Sequence, residues 1–430
     1  MHRFLLLLGC FAALPCLATE GVPYIPARDG IVLQTVPSIS DPRVRAFQAL
    51  RARLSRDPRN MPGAVSLSMA YLDYGRDTGD ARYLGRADAV IDPWMAGRPA
   101  AAVPIPVLLV HATILQSKHY FAEARSLLLG LLDRDPDNAQ AWLTLATIAD
   151  VQGDAPTARR ACAQLIDSSD PLIPGGCLAS LNAVTGHAAN ACRLLAALWP
   201  QARAEPVGVQ SWLQGIWADA AKYQGREAVA EQHFRAALQL APGDNFLLAD
   251  YADFLLDAGR PQAALDLVKD YAQSDTSFLR QVYAETALGS AQAAADTAAM
   301  AQRFAALELR GTRAYRREQA GFVLQLQHDP QRALRLAQEN WTVQRAPNDM
   351  RVLLEAALAA GEPQAAQPVL DQLSRDHLQW PRVVRLAARA RAELTAVQPS
   401  QATAIDASAP AGRDRQMPRH ARPVARGSAR

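Results

Sequence analysis

The 430-residue sequence lacks the short motifs that mark most catalytic and nucleotide-binding sites. It contains no Gly-rich phosphate-binding loop, no His-Glu-x-x-His, no Gly-x-Ser-x-Gly and no Cys-x-x-Cys. Only 6% of the residues are aromatic, whereas alanine and leucine are frequent. We therefore expect a chain that is not an enzyme and needs no cofactor or metal ion. Its composition favours helices that pack through small side chains.

The eight histidines are scattered along the chain. His111 and His119 are the closest pair in its body, but the gap between them spans a helix end and a turn, which is not a typical metal-ligand spacing. His111 falls at a packing position of the helical pattern described below. That position favours a buried, hydrogen-bonded histidine over a metal ligand. His233 and His377 have charged neighbours and are predicted to lie on the surface.

A strong excess of one charge is also absent. The net charge of +3 comes from the ends of the chain, since Arg3 lies near the start and six arginines against two aspartates follow residue 395. The body between them is close to neutral. A protein dedicated to nucleic acid would present a basic face, so we expect no nucleic-acid partner.

No apolar run is long enough for a transmembrane segment, which takes about 20 residues. The first 18 residues, MHRFLLLLGCFAALPCLA, combine a basic start, an apolar stretch broken by Pro15 and a small residue at Ala18. These features predict a cleaved signal peptide rather than a short membrane anchor. Cys10 comes too early for a lipoprotein site, and Cys16 follows a proline. The mature chain is expected in the periplasm or secreted, with residues 19–42 as an extended lead-in.

The stretch AEQHFRAALQLAPGD, residues 230–244, shows a repeat pattern. Ala230, Phe234, Ala237 and Pro242 match positions 20, 24, 27 and 32 of the 34-residue tetratricopeptide pattern. Small residues let the two helices of a repeat approach closely, the bulky residue fills the gap to the next repeat, and the proline ends the second helix. The register recurs 34 residues downstream and in two tandem frames that start at residues 105 and 139.

Weaker helical pairs flank these four. They are predicted over residues 61–92, 173–200, 276–309, 312–345 and 348–374, and a final helix over 381–394 is expected to cap the array. Asp329-Pro330 and Glu362-Pro363 mark the starts of second helices, because proline is tolerated in a first turn. The prediction is an all-α fold, a right-handed α-solenoid of about nine tetratricopeptide-like helical pairs over residues 43–395.

Three segments of the chain resemble a group of exported bacterial tetratricopeptide-repeat (TPR) proteins. They are NAQAWLTLATIADVQGD, AEQHFRAALQLAPGDNFLLADYADFLLDAGRP and ENWTVQRAPNDMRVLLEAALAAGEPQAAQPVL. The resemblance covers about residues 24–375, including the lead-in YIPARDGIVLQTVP. It implies the fold and the exported compartment and transfers no catalytic residue. The C-terminal tail is particular to this chain.

In such arrays the first helix of each pair lines a concave groove. Carboxylates, one lysine and several aromatics occupy the groove-facing positions, a mixture that suits a protein or peptide partner, because aromatics anchor and charges steer. The alternative is that these side chains only solvate an inner face. The candidate groove residues are Gln140, Thr147, Asp150, Trp212, Asp219, Lys222, Tyr223, Phe246, Asp253 and Asp257.

Three cysteines follow the signal peptide. Cys162 lies in the second helix of one repeat and Cys177 begins the next helix, so a disulfide between these neighbouring elements is favoured in an exported protein. Cys192 takes the place of a small packing residue. The alternative is three reduced, buried thiols. No histidine stands in a recognisable partner position for a catalytic thiol.

The composition changes at about residue 396. Residues 396–430 are rich in proline, serine, alanine and regularly spaced arginines, which predicts a disordered basic tail. The tail is either a tolerated extension or an arm for weak contacts with anionic lipids, cell-wall polymers or an acidic partner.

Taken together, the sequence indicates a non-enzymatic periplasmic scaffold or adaptor that binds a protein or peptide through its concave groove, in the assembly of an envelope complex. Two alternatives are a structural subunit of such a complex that uses its convex face and an accessory subunit of an enzyme.

Overall fold

The computed structural model describes residues 41–406 except 167–169 and 312–313, and of residues 397–406 it describes only the backbone. The predicted signal peptide, nearly all of the lead-in and the tail beyond Asp406 lie outside these residues. Within them, every regular element is a helix and no strand occurs. The predicted all-α class is confirmed.

Helix α1 (Pro42–Arg56) precedes nine helical pairs, and α20 (Pro381–Asp406) follows them. The pairs are α2 (Met61–Thr78) with α3 (Arg82–Met95), α4 (Ile105–Ser117) with α5 (Phe121–Leu132), α6 (Ala139–Val151) with α7 (Ala155–Ala163), α8 (Leu172–Val184) with α9 (Ala188–Ala202), α10 (Val207–Tyr223) with α11 (Glu227–Leu240), α12 (Asn245–Asp257) with α13 (Pro261–Val268), α14 (Asp275–Leu288) with α15 (Ala293–Leu309), α16 (Arg316–Gln325) with α17 (Pro330–Trp341), and α18 (Pro347–Ala359) with α19 (Gln367–Asp376). The chain is therefore the predicted solenoid of helical pairs.

The helix bounds follow the sequence signals. Asp154, Asp244 and Asp329 each accept a hydrogen bond from a backbone N–H of the helix that they precede. One bound differs from the prediction, because α20 continues to Asp406 instead of ending near residue 394. The extension includes Pro399, which donates no backbone hydrogen bond inside a helix, so local helix propensity does not explain it.

Each of the nine pairs turns through one residue of positive φ, the left-handed conformation that ends a helix and reverses the chain. Glycine occupies seven of these turns, and histidine occupies the other two. The residues are Gly79, His119, Gly153, Gly186, Gly225, Gly259, Gly289, His328 and Gly361.

The core confirms the packing roles read from the repeat. Ala230 and Ala237 are completely buried, and Phe234 is 1% exposed. The Phe234 ring stacks on Tyr251 of the next pair, with 5.3 Å between the ring centroids. Small residues therefore set the spacing within a pair, and the aromatic joins one pair to the next.

A disulfide joins two consecutive repeats. Cys162 in α7 and Cys177 in α8 are bonded, with 5.7 Å between their Cα atoms. Cys192 is a buried free thiol, and the side-chain amide of Gln224 donates a hydrogen bond to its sulfur at 3.0 Å. The disulfide crosses the junction between these two repeats, where PGG takes the place of the usual opening turn.

The turns of the first five pairs contact segments of much later repeats. The Arg345 N–H donates to the Val151 carbonyl at 2.8 Å, and the Gln344 side-chain amide lies 3.1 Å from His119 Nδ1. At Gly186, an added Cβ would lie 2.8 Å from the His377 carbonyl oxygen. These contacts join residues that are far apart in the sequence.

The first and fifth pairs make the same kind of contact. A Cβ at Gly79 would meet Asn245 and Ser274, and a Cβ at Gly225 would lie 3.2 Å from Pro381. By contrast, nothing lies within 4 Å of a Cβ built at Gly259, Gly289 or Gly361. We call the contact between the turns at residues 79, 119, 153, 186 and 225 and the later segments 244–245, 274, 344–346, 376–377 and 380–381 the seam. The solenoid thus closes on itself.

Candidate functional site

The inner face of α10 is covered by Trp380, the residue that precedes α20. Lys222 is 9% exposed and Tyr223 is 5% exposed. The Tyr223 ring lies 5.6 Å from the ring of Trp380, and Lys222 Nζ lies 5.3 Å from the same Trp380 ring. Lys222 also pairs with Asp219 at 2.5 Å. Both Lys222 and Tyr223 are therefore out of reach of a partner.

The inner face of α12 is filled by ion pairs. Asp253 receives two hydrogen bonds from the Arg280 guanidinium, at 3.0 and 2.7 Å. Asp257 pairs with Arg351 of α18 at 3.1 Å and with Arg382 of α20 at 2.9 Å. Side chains from α14, α18 and α20 thus neutralise the carboxylates that the sequence placed in an open groove.

The pKa values of these groups reflect their enclosure. Burial, reinforced by neighbouring Asp219, raises the pKa of Asp250 to about 6. Burial acts in the same direction on Asp253, but there the charge and hydrogen bonds of Arg280 prevail and lower its pKa. Asp253 is therefore well paired in its charged form, whereas the surroundings of Asp250 oppose its ionisation.

The structure differs here from the expectation of a single open groove, because the later repeats occupy the concave side of the earlier ones. Lys222 and Tyr223 are buried, Asp219 and Asp253 are half-buried and ion-paired, and Asp257 is paired with Arg351 and Arg382. Asp150 lies at the seam, and Trp212 packs against Gly176. Of the ten candidate residues, Gln140, Thr147, Phe246 and Asp257 are exposed.

Two histidines also differ from their predicted environments. His233 is 8% exposed and stacks on Trp217, with 4.1 Å between the rings, so it is not on the surface. Its Nδ1 lies 2.6 Å from the Gln214 side-chain oxygen, and burial lowers its pKa to about 4. His111 is half-buried rather than fully buried, with Nδ1 at 3.3 Å from a carboxylate oxygen of Asp88.

A groove of about 640 Å³ opens on the outside of the first repeat. Phe47 is the one fully buried side chain of α1, and its ring lies 5.0 Å from Tyr71 and 5.3 Å from Tyr74. The groove lies beside the second half of α1, beyond this anchor. We call it the outer groove. It is lined by Arg51, Leu54, Ser55, Pro58, Leu67, Tyr71, Arg86, Ala89, Val90, Pro93 and Trp94.

The outer groove combines an apolar floor with a basic rim. Helix α1 contains five arginines and no acidic residue. Of the arginines in this region, Arg51 and Arg86 line the groove, and neither forms an ion pair with any residue that the structure describes. The Arg86 guanidinium lies over the Tyr83 ring at 4.7 Å. Free guanidinium groups around apolar side chains favour a ligand that is both apolar and acidic.

Sequence reasoning missed the outer groove. The signal that points to it is the run of arginines over residues 42–59 in a chain whose body is otherwise close to neutral. The apolar floor comes from α2 and α3. Because these residues are far from α1 in the sequence, no local motif combines them with its arginines.

The described part of the chain contains no cluster of three or more His, Cys, Asp or Glu side chains suited to hold a metal ion. None of its described helices is both long enough and apolar enough to cross a membrane.

No protein-family model and no curated protein matches the sequence. Several solved structures are similar in fold. One is PilW, a type IV pilus biogenesis factor, at 19% identity over 46% of this chain and 93% of that chain, with a TM-score of 0.37. Another is a tetratricopeptide repeat protein from Parabacteroides merdae, at 12% identity over 73% and 99% of the two chains, with a TM-score of 0.35. Human IFIT1 with PPP-AAAA has 13% identity over 80% and 78%, with a TM-score of 0.45. At these identities and scores, none of them indicates what this chain binds.

Proposed function

We propose that the chain is a non-enzymatic periplasmic scaffold that holds a protein partner during the assembly of an envelope complex. We further propose that the outer groove, rather than the covered inner face, receives a segment of that partner. The observation that supports this site most directly is its open apolar floor beside Arg51 and Arg86, neither of which forms an ion pair with a described residue. Such arrays of helical pairs present extended surfaces that suit protein partners.

The chemistry of the groove defines the partner segment. Leu67, Tyr71, Val90 and Trp94 offer apolar and aromatic surface for one or two large hydrophobic side chains. Arg51 and Arg86 favour Asp or Glu next to those side chains. The segment is therefore a short acidic stretch with embedded apolar residues.

Two features support the periplasmic part of the proposal. The first 18 residues have the pattern of a signal peptide. The disulfide between Cys162 and Cys177 fits an oxidising compartment, since such bonds are rare where thiols are kept reduced.

Site-specific photo-crosslinking in intact cells tests the site. A photoreactive residue replaces Ala89, an exposed residue of the groove wall, and in a separate protein it replaces Gln239, an exposed residue of α11. We expect a discrete protein adduct from position 89 and none from position 239. The adduct peptide, identified by mass spectrometry, should be acidic and apolar.

Charge reversal provides the second arm of the test. The double variant Arg51→Glu with Arg86→Glu should abolish the adduct, whereas Arg159→Glu with Arg335→Glu should keep it, because the latter two are exposed arginines outside the groove. An adduct that survives the first double variant would contradict the proposal. A crosslink from position 89 to residues 19–40 of the same chain would show that the lead-in, not a partner, fills the groove.

Phe246 favours a second candidate surface. Its side chain is 64% exposed at the start of α12, on the inner side predicted from the sequence. The same photoreactive residue at Thr147 or Phe246 tests this surface. Partner adducts from those positions, with none from position 89, would assign binding to the uncovered remainder of the inner face.

A further inference from the structure

A cavity of about 50 Å³ lies within the seam. It is bounded on one side by the end of α6 and its turn, and on the other by the start of α18 and by α19. Asp150, Gln372 and Asp376 contribute polar side chains to its wall. Gln372 and Asp376 are one helical turn apart on α19, whereas Asp150 comes from the third pair.

Asp150 is a half-buried carboxylate that forms no ion pair with any described residue. Its one hydrogen bond comes from the Ser180 hydroxyl at 3.4 Å. Burial, reinforced by the charge of Asp376, raises its pKa to about 6. An enclosed carboxylate without a compensating charge is unfavourable, so the site favours any cation that can enter.

Gln372 supplies an independent sign of a missing ligand. Its side chain is 3% exposed, and its amide nitrogen donates to the Arg345 carbonyl at 3.3 Å. Its amide oxygen is buried and receives no hydrogen bond from the residues that the structure describes. The amide group packs against the turn of the third pair, since a Cβ built at Gly153 would lie 2.5 Å from its nitrogen and 3.1 Å from its oxygen. Buried acceptors are normally satisfied.

Two carboxylates and an unpaired amide oxygen on this wall favour a positively charged ligand, and the Thr185 hydroxyl, which also lines the cavity, donates to the Leu181 carbonyl. Two carboxylates and an amide oxygen are the ligand types that Ca²⁺ prefers, with water completing its shell. The cavity exceeds the volume of one water molecule, about 30 Å³. Arg345 also lines the cavity, but its Nε donates to the Trp341 carbonyl at 3.3 Å and it forms no ion pair with a described residue.

We propose that the seam cavity binds a hard divalent cation, of the Ca²⁺ class, through Asp150, Asp376 and the side-chain oxygen of Gln372. The ion joins the turn between α6 and α7 to α19, so it ties the early repeats to the last pair. Its binding stabilises the closed form of the solenoid.

Thermal unfolding of the full mature chain, treated with chelator and then titrated with CaCl₂, tests this site. We expect the Tm of the wild-type protein to rise with the logarithm of the Ca²⁺ concentration once binding saturates. Asp150→Asn and Asp376→Asn should each bind Ca²⁺ at least about tenfold more weakly by calorimetry. Asp137→Asn, a change at an exposed loop carboxylate, should respond as the wild type does.

The chelated proteins provide a further discriminating readout. Without the ion, Asp150→Asn should be at least as stable as the wild type, because the amide removes an uncompensated buried charge. A wild-type Tm that is indifferent to Ca²⁺ and Mg²⁺ would overturn the proposal, as would variants that bind like the wild type. If Asp150→Asn were destabilising in chelator, Arg345 would be the compensating charge and no ion would be needed.

Discussion

Ala230 and Ala237 show how single side chains set the geometry of a helical pair. Both are completely buried on α11, which packs against α10. Because neither has a side chain beyond Cβ, the two helices approach closely, and Phe234 on the same helix is free to reach Tyr251 of the next pair. The small positions of the repeat pattern therefore correspond to the close packing of two helices within a pair, and its aromatic position corresponds to the contact between pairs.

Replacing Ala230 with leucine should destabilise the protein by about 1–3 kcal/mol, because overpacking a close crossing strains the backbone. The control Gln239→Leu, on the exposed side of α11, should change stability by no more than about 0.5 kcal/mol. Urea unfolding followed by circular dichroism compares the two. Equal midpoints would show that the register of this repeat is wrong.

His119 links the conformation of one turn to pH. It adopts a φ of 60°, stacks on Phe121 and lies 3.1 Å from the Gln344 amide. Burial lowers its pKa to about 4. Since an unfolded histidine titrates near 6.5, the unfolded chain binds the extra proton first, and this residue's contribution to stability is lost as pH falls from about 6.5 to about 4.

The variant His119→Asn should remove that contribution, because asparagine also tolerates a positive φ and does not titrate. The Tm of the wild type relative to the variant should therefore fall on acidification across this window. His328→Asn is the matched control, with a φ of 54° at an exposed turn. Parallel pH profiles for wild type and His119→Asn would contradict the burial of His119.

At the scale of elements, α1 differs from the helices of the repeats. Its one fully buried residue, Phe47, sits among Tyr71, Tyr74 and Tyr83 at ring distances of 5.0 to 6.0 Å. The helices of the repeats each contain at least two buried residues. The half-buried Leu50 and Leu54 and the Arg43–Asp77 ion pair add to this contact, but Phe47 is the largest anchor of α1 and therefore of the outer groove.

Phe47→Ala should release α1 without unfolding the pairs that follow, because opening a terminal helix needs less free energy than global unfolding. Hydrogen exchange should become faster for amides of residues 42–56 and stay unchanged for α4 to α9. Gln48→Ala, an exposed neighbour, should leave exchange in α1 unaltered. Slow exchange in α1 of Phe47→Ala would mean that other contacts position it.

At the scale of the whole molecule, the sequence predicted the pairs and missed their closure. The predicted spans 276–309 and 348–374 fall within two residues of α14–α15 and α18–α19. Such spans depend on local spacing and on proline signals. The seam depends on contacts such as Gln344 with His119, separated by 225 residues, for which a single sequence contains no local pattern.

For the candidate groove residues, too, the sequence predicts the local position in a repeat but not the long-range contacts. Lys222 and Asp257 were correctly placed on first helices, but the position of a residue in its repeat does not say what the later repeats cover. Closure buries Lys222 beside Trp380 and pairs Asp257 with Arg351 and Arg382. It also creates the seam cavity, which has no counterpart in the local sequence around Asp150.

Gly186→Ala should destabilise the closed form more than Gly259→Ala does. Both glycines have positive φ, 75° and 69°, so both variants incur the same backbone strain. At Gly186 a new Cβ would also press on the His377 backbone, whereas nothing lies within 4 Å at Gly259. We expect a further loss of about 1–3 kcal/mol for Gly186→Ala, measured by thermal unfolding. Equal losses would indicate that the seam is open in solution.

Hydroxyl-radical footprinting can show whether the solenoid covers its own inner face. Tyr223 on that face is 5% exposed, and Tyr120 at a turn is 51% exposed. Because both are tyrosines, their intrinsic reactivity towards the radical is the same. We expect rapid oxidation of Tyr120 and strong protection of Tyr223 in the folded protein, with similar rates after unfolding. Oxidation of Tyr223 at a rate comparable to Tyr120 in the folded protein would show that the inner face is open.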